Sequence, residues 1–254
     1  LEDNILPSFT VQNPIIQLDV NGQASVNKAD LVSDVIDNCA IQDTTISVSS
    51  FTCENIGDNY LTVTISDVNG NQVSQIAVVT VEDNISPSFT VQNATVQLDA
   101  SGTASITAND LISSVNDACG VQDTTINVSS FTCENVGNNE VNVTVSDIHG
   151  NETSHIAVVT VEDNIEPILA VQDITIELDE NGTASITVAD LVTNANDNCA
   201  IQDTTINVNI FDCSNIGAND VIVTLNDVNG NQTQRTAVVT VVDNILPILI
   251  TTNI

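Results

Sequence analysis

The strongest constraint on the fold is an 80-residue repeat. The acidic segment at residues 81–87 (Val-Glu-Asp-Asn-Ile-Ser-Pro) recurs at 161–167, and related copies open and close the chain at 2–7 and 242–247. A fixed period of this size is typical of arrays of similar domains, with the acidic segment as the joint between them. We therefore expect repeats at 5–84, 85–164 and 165–244, preceded at 1–4 by the end of another joint and followed at 245–254 by the first strand of a fourth repeat or a donor strand.

The composition predicts a β protein. Val, Ile and Thr dominate and there is no Trp or Met; branched side chains suit a pleated sheet. We expect about seven short strands per repeat, with one helical turn at residues 29–35 of the first. Residues 60–66 alternate, so Leu61, Val63 and Ile65 should share one buried face. The predicted fold is all-β: a tandem array of immunoglobulin-like β-sandwich domains forming an elongated rod.

The charge balance limits the partners that the chain can bind. The chain has 34 acidic residues against two basic ones, Lys28 and Arg235. Nucleic acid and anionic membrane surfaces are excluded as partners, because both need a basic protein surface. No apolar run is long enough for a transmembrane helix, so direct membrane insertion is not expected. The charge excess destabilises a compact chain unless cations offset it, and Ca²⁺ is the hard cation that takes carboxylate and carbonyl oxygens.

Strand direction predicts where the acids meet. The first strand of each repeat leaves the preceding joint and the last strand runs to the next one. The corner near Asp37 and the turn at 67–71 should therefore both lie under the preceding joint. In repeat 2 the same argument brings Asp117 and the turn at 147–151 to the joint at 82–84. Three acidic segments should converge at each junction, unless Asp, Asn and Gly stand there only because turns favour them.

The candidate ligands for structural Ca²⁺ are the carboxylates and amides of these segments. They are Asp3, Asn4, Asp37, Asp67, Asn69, Asn71, Glu82, Asp83, Asn84, Asp117, Asp147, Asn151, Glu162, Asp163, Asn164, Asp197, Asp227, Asn229, Asn231 and Asp243. Two positions depart from the pattern: Val242 replaces Glu at the last joint, and His149 replaces Asn in repeat 2.

The six cysteines fall into three pairs at the same offset in each repeat. The pairs are Cys39 and Cys53, Cys119 and Cys133, and Cys199 and Cys213. Because each repeat contains one pair, we expect one disulfide within each repeat, and hence an oxidising, extracytoplasmic location. A zinc site made by these cysteines is disfavoured, because each repeat offers two Cys and no nearby His.

The repeat motifs resemble known families. Asp-Asn-Cys-Ala (37–40 and 197–200) and Asp-x-x-Gly-Asn (67–71 and its counterparts) are similar to hyalin-repeat domains. The longer pattern, Leu-Asp-x-x-Gly-x-Ala-Ser followed by Val-Glu-Asp-Asn-Ile-x-Pro, resembles the tandem immunoglobulin-like repeats of giant Bacteroidota surface adhesins, including gliding adhesins. The resemblance covers the whole chain. It implies export to the cell surface and an adhesive or spacer role.

The same resemblance implies O-glycosylation of an Asp-Thr motif. Exported proteins of that group carry O-glycans on the Thr of Asp-Thr/Ser-x, which makes Thr44, Thr124 and Thr204 candidates. The alternative is that these threonines pair with cross-strand neighbours in a sheet.

These observations predict a structural stalk or spacer of an extracellular adhesin or filament, rigidified by Ca²⁺ at the joints and one disulfide per repeat. No enzyme activity is expected, because the histidines His149 and His155 occur in repeat 2 alone and aromatic residues for a sugar cleft are scarce. The expected partners are further copies of the repeat, other chains of a filament, and a surface or glycan ligand that the sequence does not define. One alternative is a self-assembling fibre subunit whose apolar end, 245–250, pairs with another chain. A second is an accessory repeat region of a secreted enzyme.

Overall fold

The computed structural model describes residues 3–247 and shows the same series of eight strands three times. The first repeat contains β1 (Ser8–Val11), β2 (Ile15–Gln17), β3 (Gln23–Ser25), β4 (Val32–Ile36), β5 (Ile41–Ile46), β6 (Ser50–Thr52), β7 (Gly57–Asp67) and β8 (Gln72–Glu82). The second contains β9 (Ser88–Val91), β10 (Ala94–Gln97), β11 (Thr103–Ser105), β12 (Ile112–Asn116), β13 (Val121–Ile126), β14 (Ser130–Thr132), β15 (Gly137–Asp147) and β16 (Glu152–Glu162). The third contains β17 (Ile168–Val171), β18 (Ile174–Glu177), β19 (Thr183–Ser185), β20 (Val192–Asn196), β21 (Ile201–Ile206), β22 (Ile210–Asp212), β23 (Gly217–Asp227) and β24 (Gln232–Val242).

Helical structure is confined to single turns. Short 3₁₀ helices lie at Lys28–Asp30, Cys53–Asn55, Ala108–Asp110, Cys133–Asn135 and Cys213–Asn215, and α1 spans Val188–Leu191. Strands make up 57% of the described residues and helical turns 8%, which confirms the predicted all-β tandem array. Within residues 3–247, no helix combines the length and the apolar character that crossing a membrane requires.

Each repeat has one four-stranded sheet and two two-stranded ones. In repeat 1 the large sheet has the order β2-β8-β7-β5, with β2 parallel to β8 and the other pairs antiparallel. The small sheets are the antiparallel pairs β1 with β4 and β3 with β6. A sheet that joins the last two strands of a repeat to its second and fifth strands is the arrangement of an immunoglobulin-type sandwich.

The core follows the predicted alternation. Leu61, Val63 and Ile65 of β7 are at most 1% exposed. They lie against alternate residues of β8 and against Phe51, which is the largest fully buried side chain of repeat 1. Phe131 and Phe211 occupy the same place in repeats 2 and 3 and are equally buried. Repeats 1 and 3 therefore each have a thin, mainly aliphatic core of their own.

The local prediction was wrong at residues 29–35. Helix is limited to Lys28–Asp30, where the Asp30 carboxylate accepts a hydrogen bond from the Asn27 backbone N–H at 3.0 Å. The chain then becomes extended, because Leu31 is fully buried and β4 pairs with β1. This extra strand raises the number per repeat from the expected seven to eight.

The chain divides into two compact units that do not coincide with the repeats. One unit comprises Leu1–Gln92, Thr107–Asn127 and Val141–Ala157. The other comprises Asn93–Ile106, Val128–Glu140 and Val158–Ile254. Repeat 2 thus contributes to both, and each unit contains one complete junction between consecutive repeats.

Candidate metal centres at the repeat junctions

The penultimate strand of each repeat ends in a buried aspartate. Asp67, Asp147 and Asp227 are each 0% exposed. The Asp67 carboxylate accepts hydrogen bonds from the backbone N–H groups of Asn69 and Asn71, both at 2.8 Å, and from the Asn71 side chain at 2.7 Å. The same three bonds recur around the other two aspartates. The predicted turn is therefore organised by its own first residue.

The turn also binds the preceding joint. The Asn71 amide donates to the backbone carbonyl of Asp3 at 3.1 Å. Asn151 donates to Asp83 and Asn231 to Asp163 in the same way, both at 3.0 Å. One asparagine thus connects the turn of each repeat to the joint above it.

The carboxylates converge as strand direction predicts. Three clusters place their ligand atoms within 4.8 Å of one another. They are Asp3 with Asp37 and Asp67, Asp83 with Asp147 and His149, and Asp163 with Asp197 and Asp227. Segments distant in sequence thus converge at the joints that contain Asp3, Asp83 and Asp163.

The cluster at Asp163 contains several buried oxygens without a hydrogen-bond partner. The Asn198 amide donates to Asp163 Oδ1 at 3.1 Å. Asp163 Oδ2, Asp197 Oδ1, Asn198 Oδ1 and Asn229 Oδ1 accept no hydrogen bond. Asp163 is 5% exposed, so its unpartnered oxygen is shielded from bulk solvent. Buried unpartnered oxygens are costly unless a cation binds them.

Hydrogen bonding keeps several of these carboxylates ionised. Bonds from the Cys39 thiol, the Ile5 backbone N–H and the Asn38 amide lower the pKa of Asp3 to about 2. Burial acts to raise the pKa of Asp67 and Asp147, but hydrogen bonds from the asparagine side chains and backbone N–H groups outweigh burial and hold the pKa of both below the ordinary value. Negative charge is therefore concentrated at the junctions at neutral pH.

Some predicted ligands do not join the clusters. Glu82 and Asn84 bind the side chain of Gln17, at 2.8 and 2.7 Å, and Glu162 and Asn164 bind Gln97. Alternate side chains of an extended segment point to opposite sides, so Asp83 faces the next repeat while its two neighbours turn back. The other predicted carboxylate ligands outside the clusters are Asp117 and Asp243.

Asp117 accepts the same two backbone hydrogen bonds as its counterparts Asp37 and Asp197, but it does not join a cluster. Its Oδ1 accepts from the backbone N–H groups of Cys119 and Gly120 at 2.9 and 2.8 Å. Sequence reasoning also missed two neighbours of the joints, Asn38 and Asn198. The sequence contains a signal for both, because they stand in the Asp-Asn-Cys-Ala motif. That motif was interpreted only as a resemblance to hyalin-repeat domains.

The predicted disulfide pairing is wrong. The structure joins Cys53 to Cys119 and Cys133 to Cys199, so each bond links consecutive repeats. Within a repeat, the six residues of β5 carry the chain about 20 Å away from the first cysteine at roughly 3.3 Å per residue. A disulfide needs Cα atoms within about 7 Å. Those of Cys53 and Cys119 are 5.2 Å apart. The outermost cysteines, Cys39 and Cys213, carry exposed free thiols.

The glycosylation candidates lie on edge strands. Thr44, Thr124 and Thr204 are half-buried on the outer strand of the large sheet in each repeat, and the Thr44 backbone N–H donates to Asp43 Oδ1 at 2.7 Å. The following threonine is the more exposed of the two in each repeat. O-glycosylation stays a prediction, to be checked by intact mass of the exported protein.

Comparisons with known proteins give only remote likenesses. No family model matches the sequence, and no curated protein matches it. Drosophila N-cadherin EC1-4 is 14% identical, with 93% of this chain and 75% of that chain covered and a TM-score of 0.34. Mouse cadherin-23 EC22-24 is 14% identical, with 94% and 99% covered and a TM-score of 0.34. An E-to-A variant of three titin immunoglobulin domains is 9% identical, with 92% and 98% covered and a TM-score of 0.38. Scores this low leave these likenesses without weight, so function is argued from the chain's own residues.

Proposed function

We propose that the chain is a structural stalk or spacer segment of an extracellular adhesin or filament, in which Ca²⁺ and disulfides hold successive repeats together. The observation that carries the proposal is the recurring junction. At both complete junctions a joint aspartate meets loops of the following repeat, and a disulfide crosses between the same two repeats. A segment in which every repeat is fixed to the next one is suited to span a distance and to bear force.

The residues at the Asp163 junction fit a calcium ion. Ca²⁺ takes six to eight oxygens from carboxylates, amides and carbonyls. The unpartnered oxygens of Asp163, Asp197, Asn198 and Asn229, with the carboxylate of Asp227, form an all-oxygen donor set. These residues would hold the ion, and its charge would offset the buried carboxylates of two repeats at once.

Calcium binding at this junction is tested with D163N. The substitution keeps the size of the side chain and removes one charge, so we expect about tenfold weaker Ca²⁺ binding or more, the change that 1.4 kcal/mol produces. Isothermal titration of the EDTA-treated chain measures it. D220N is the matched control, because Asp220 is exposed in the same repeat and outside the cluster. Equal affinity in wild type and D163N would exclude calcium from this junction.

The extracellular location rests on the disulfides. Such bonds persist in oxidising compartments, and two of them fix repeat to repeat here. Thiol trapping of the protein in its native cells tests the location. We expect the four cysteines of these two bonds to be protected. Six reactive cysteines would place the chain in a reducing compartment.

A second candidate function is a self-assembling fibre subunit, and the free thiols favour it. Cys39 is the counterpart of Cys119 and Cys199, which accept a bond from the preceding repeat, and Cys213 is the counterpart of Cys53 and Cys133. The missing partner can be supplied by a second chain or by a further repeat of the same chain. Of the apolar segment proposed as a donor strand, Ile245 and Leu246 are exposed, and residues 248–250 lie outside the described part of the chain.

Oxidation of the purified chain separates the two routes to a fibre. Covalent ladders on a non-reducing gel that vanish in C213S indicate end-to-end disulfides. Assemblies that persist in C213S and disappear when residues 245–254 are removed indicate strand donation. A monomer under both oxidising and concentrated conditions would exclude the fibre and leave the spacer.

A further inference from the structure

The junction at Asp83 differs from the one at Asp163 in its donor atoms. Asp83, Asp147 and His149 bring two carboxylates and one imidazole within 4.8 Å. At the position of His149 the other repeats have Asn69 and Asn229. The neighbouring amide is lost as well, because Ala118 stands where Asn38 and Asn198 stand in the other repeats.

The two groups that face each other at this junction are both without hydrogen-bond partners. His149 Nδ1 lies 3.4 Å from Asp83 Oδ2, and neither atom is hydrogen-bonded. The Asp83 side chain is 3% exposed and that of His149 20%. Two potential acceptors turned toward each other inside the protein leave a place for a group that binds both.

From this arrangement we propose that the Asp83 junction is a transition-metal site of the zinc type, whereas the Asp163 junction takes Ca²⁺. Imidazole is a ligand that suits Zn²⁺ and its first-row neighbours, whereas Ca²⁺ takes oxygen. Two carboxylates and one imidazole are a donor set that zinc accepts. The inference rests on the proposed function in one respect, since it assigns a different ion to one of the same junctions.

The proximity of His149 and Asp83 also has a competing explanation, which the experiment must distinguish from metal binding. A protonated His149 would form an ion pair with Asp83 and leave no ligand for a metal. The other imidazole, His155, packs against Phe89 with ring centroids 4.7 Å apart and ring planes tilted by 59°. It lies outside the cluster. The H155N variant is therefore the control for zinc that binds to a histidine away from the junction.

The experiment uses the full chain after EDTA dialysis, titrated with Zn²⁺ in the presence of excess Ca²⁺. Wild type and H155N should bind one Zn²⁺ tightly, and H149N should bind it about tenfold more weakly or worse, as changes around a metal site typically do. His149 ring signals in the NMR spectrum should shift on addition of one equivalent of Zn²⁺. H149N restores the residue of the other two repeats, so it should fold as wild type does, and circular dichroism checks this.

Each outcome decides the proposal. Equal Zn²⁺ affinity in wild type and H149N, or no tight site in wild type, overturns it in favour of the His149–Asp83 ion pair. Loss of Zn²⁺ binding in H149N with unchanged Ca²⁺ binding supports it. The calcium proposal is tested separately by D163N. Zinc binding without calcium binding would therefore overturn the calcium function alone.

Discussion

Gly22 shows how closely consecutive repeats approach at a single residue. Its φ is +71°, in the left-handed region that favours glycine. An added Cβ would lie 2.6 Å from the sulfur of Cys53 and 3.3 Å from Cβ of Ala118 in the next repeat. Gly102 has the same surroundings against Cys133 and Asn198. The glycine is therefore needed both for the turn and for the disulfide beside it.

We predict that G22A is more destabilising than G70A. Gly70 also has a positive φ, +93°, but no atom lies within 4 Å of the position of its Cβ. Both variants carry the left-handed backbone cost of about 1–2 kcal/mol, and G22A adds the clash with the sulfur. Denaturant unfolding and a free-thiol assay measure the two effects. Equal free energies of unfolding would show that the contact with Cys53 relaxes without cost.

The sequence predicts the turn at Gly22 but not its neighbour. Gly after Asn is a signal read from adjacent residues, whereas the approach to Cys53 and Ala118 depends on contacts between residues far apart in the chain. The same limit explains Asp83. Its convergence on Asp147 follows from strand direction, but its separation from Glu82 and Asn84 depends on which side of the joint each side chain faces.

The hairpin between the second and third strands of each repeat is held by one aspartate. Asp19 Oδ1 accepts hydrogen bonds from the backbone N–H groups of Asn21 and Gln23 at 2.8 and 3.0 Å. Asp99 and Asp179 do the same in their repeats. These backbone bonds, together with one or two from side chains of the same hairpin, lower the pKa of all three carboxyls.

The lowered pKa values predict acid sensitivity. A carboxyl whose pKa is lower folded than unfolded contributes stability that is fully present above its unfolded pKa, about 3.9. That stability is lost as the pH falls through the folded pKa, because the unfolded chain then binds more protons. In the triple variant D19N/D99N/D179N, we expect the melting temperature in calcium-free buffer to fall less steeply below about pH 4 than in wild type.

The control for the acid experiment removes the same number of charges elsewhere. Glu54, Glu134 and Glu180 are exposed, so the triple variant E54Q/E134Q/E180Q tests the change in net charge alone. An acid response of the control equal to that of the aspartate variant would attribute the effect to general charge repulsion.

The elements differ in how far their sequence predicts them. β7 and β8 have 11 residues each, and their long alternation of apolar and polar residues leaves one interpretation. β4 has five residues, of which one is half-buried and apolar at its start, and its pattern fits a helical turn equally well. Its extended form is decided by pairing with β1, a partner more than 20 residues away. Short strands therefore depend on tertiary contacts that no local pattern contains.

At the scale of the whole molecule, the disulfides connect repeats rather than closing them. A period fixes the offset between cysteines but not whether each pairs within its repeat or across the junction, since both choices give the same pattern. The length of β5 excludes pairing within a repeat. That length can be used in the argument only when the direction of every strand is known.

We predict a large effect of removing one of these bonds. Cys133 and Cys199 are 66 residues apart, and closing a loop of that length in the unfolded chain is worth about 4 kcal/mol in the chain-entropy account. C133A/C199A should therefore unfold at a clearly lower denaturant concentration. C39A/C213A, which removes two free thiols, should unfold as wild type does. A similar midpoint for both variants would mean that the junction holds without its covalent bond.

The crossed pairing also sets how far the chain can lengthen when pulled from its ends. A load reaching Cys53 passes through sulfur to Cys119, and a load reaching Cys133 passes to Cys199. The 66-residue segment spanned by each bond, roughly 220 Å of extended chain at about 3.3 Å per residue, is therefore shielded from the pull. Both segments include the long paired strands of a repeat, β7 with β8 in one and β15 with β16 in the other. In oxidising surroundings the two bonds together withhold roughly 440 Å of extended chain from a pull on the ends, and a reductant releases it.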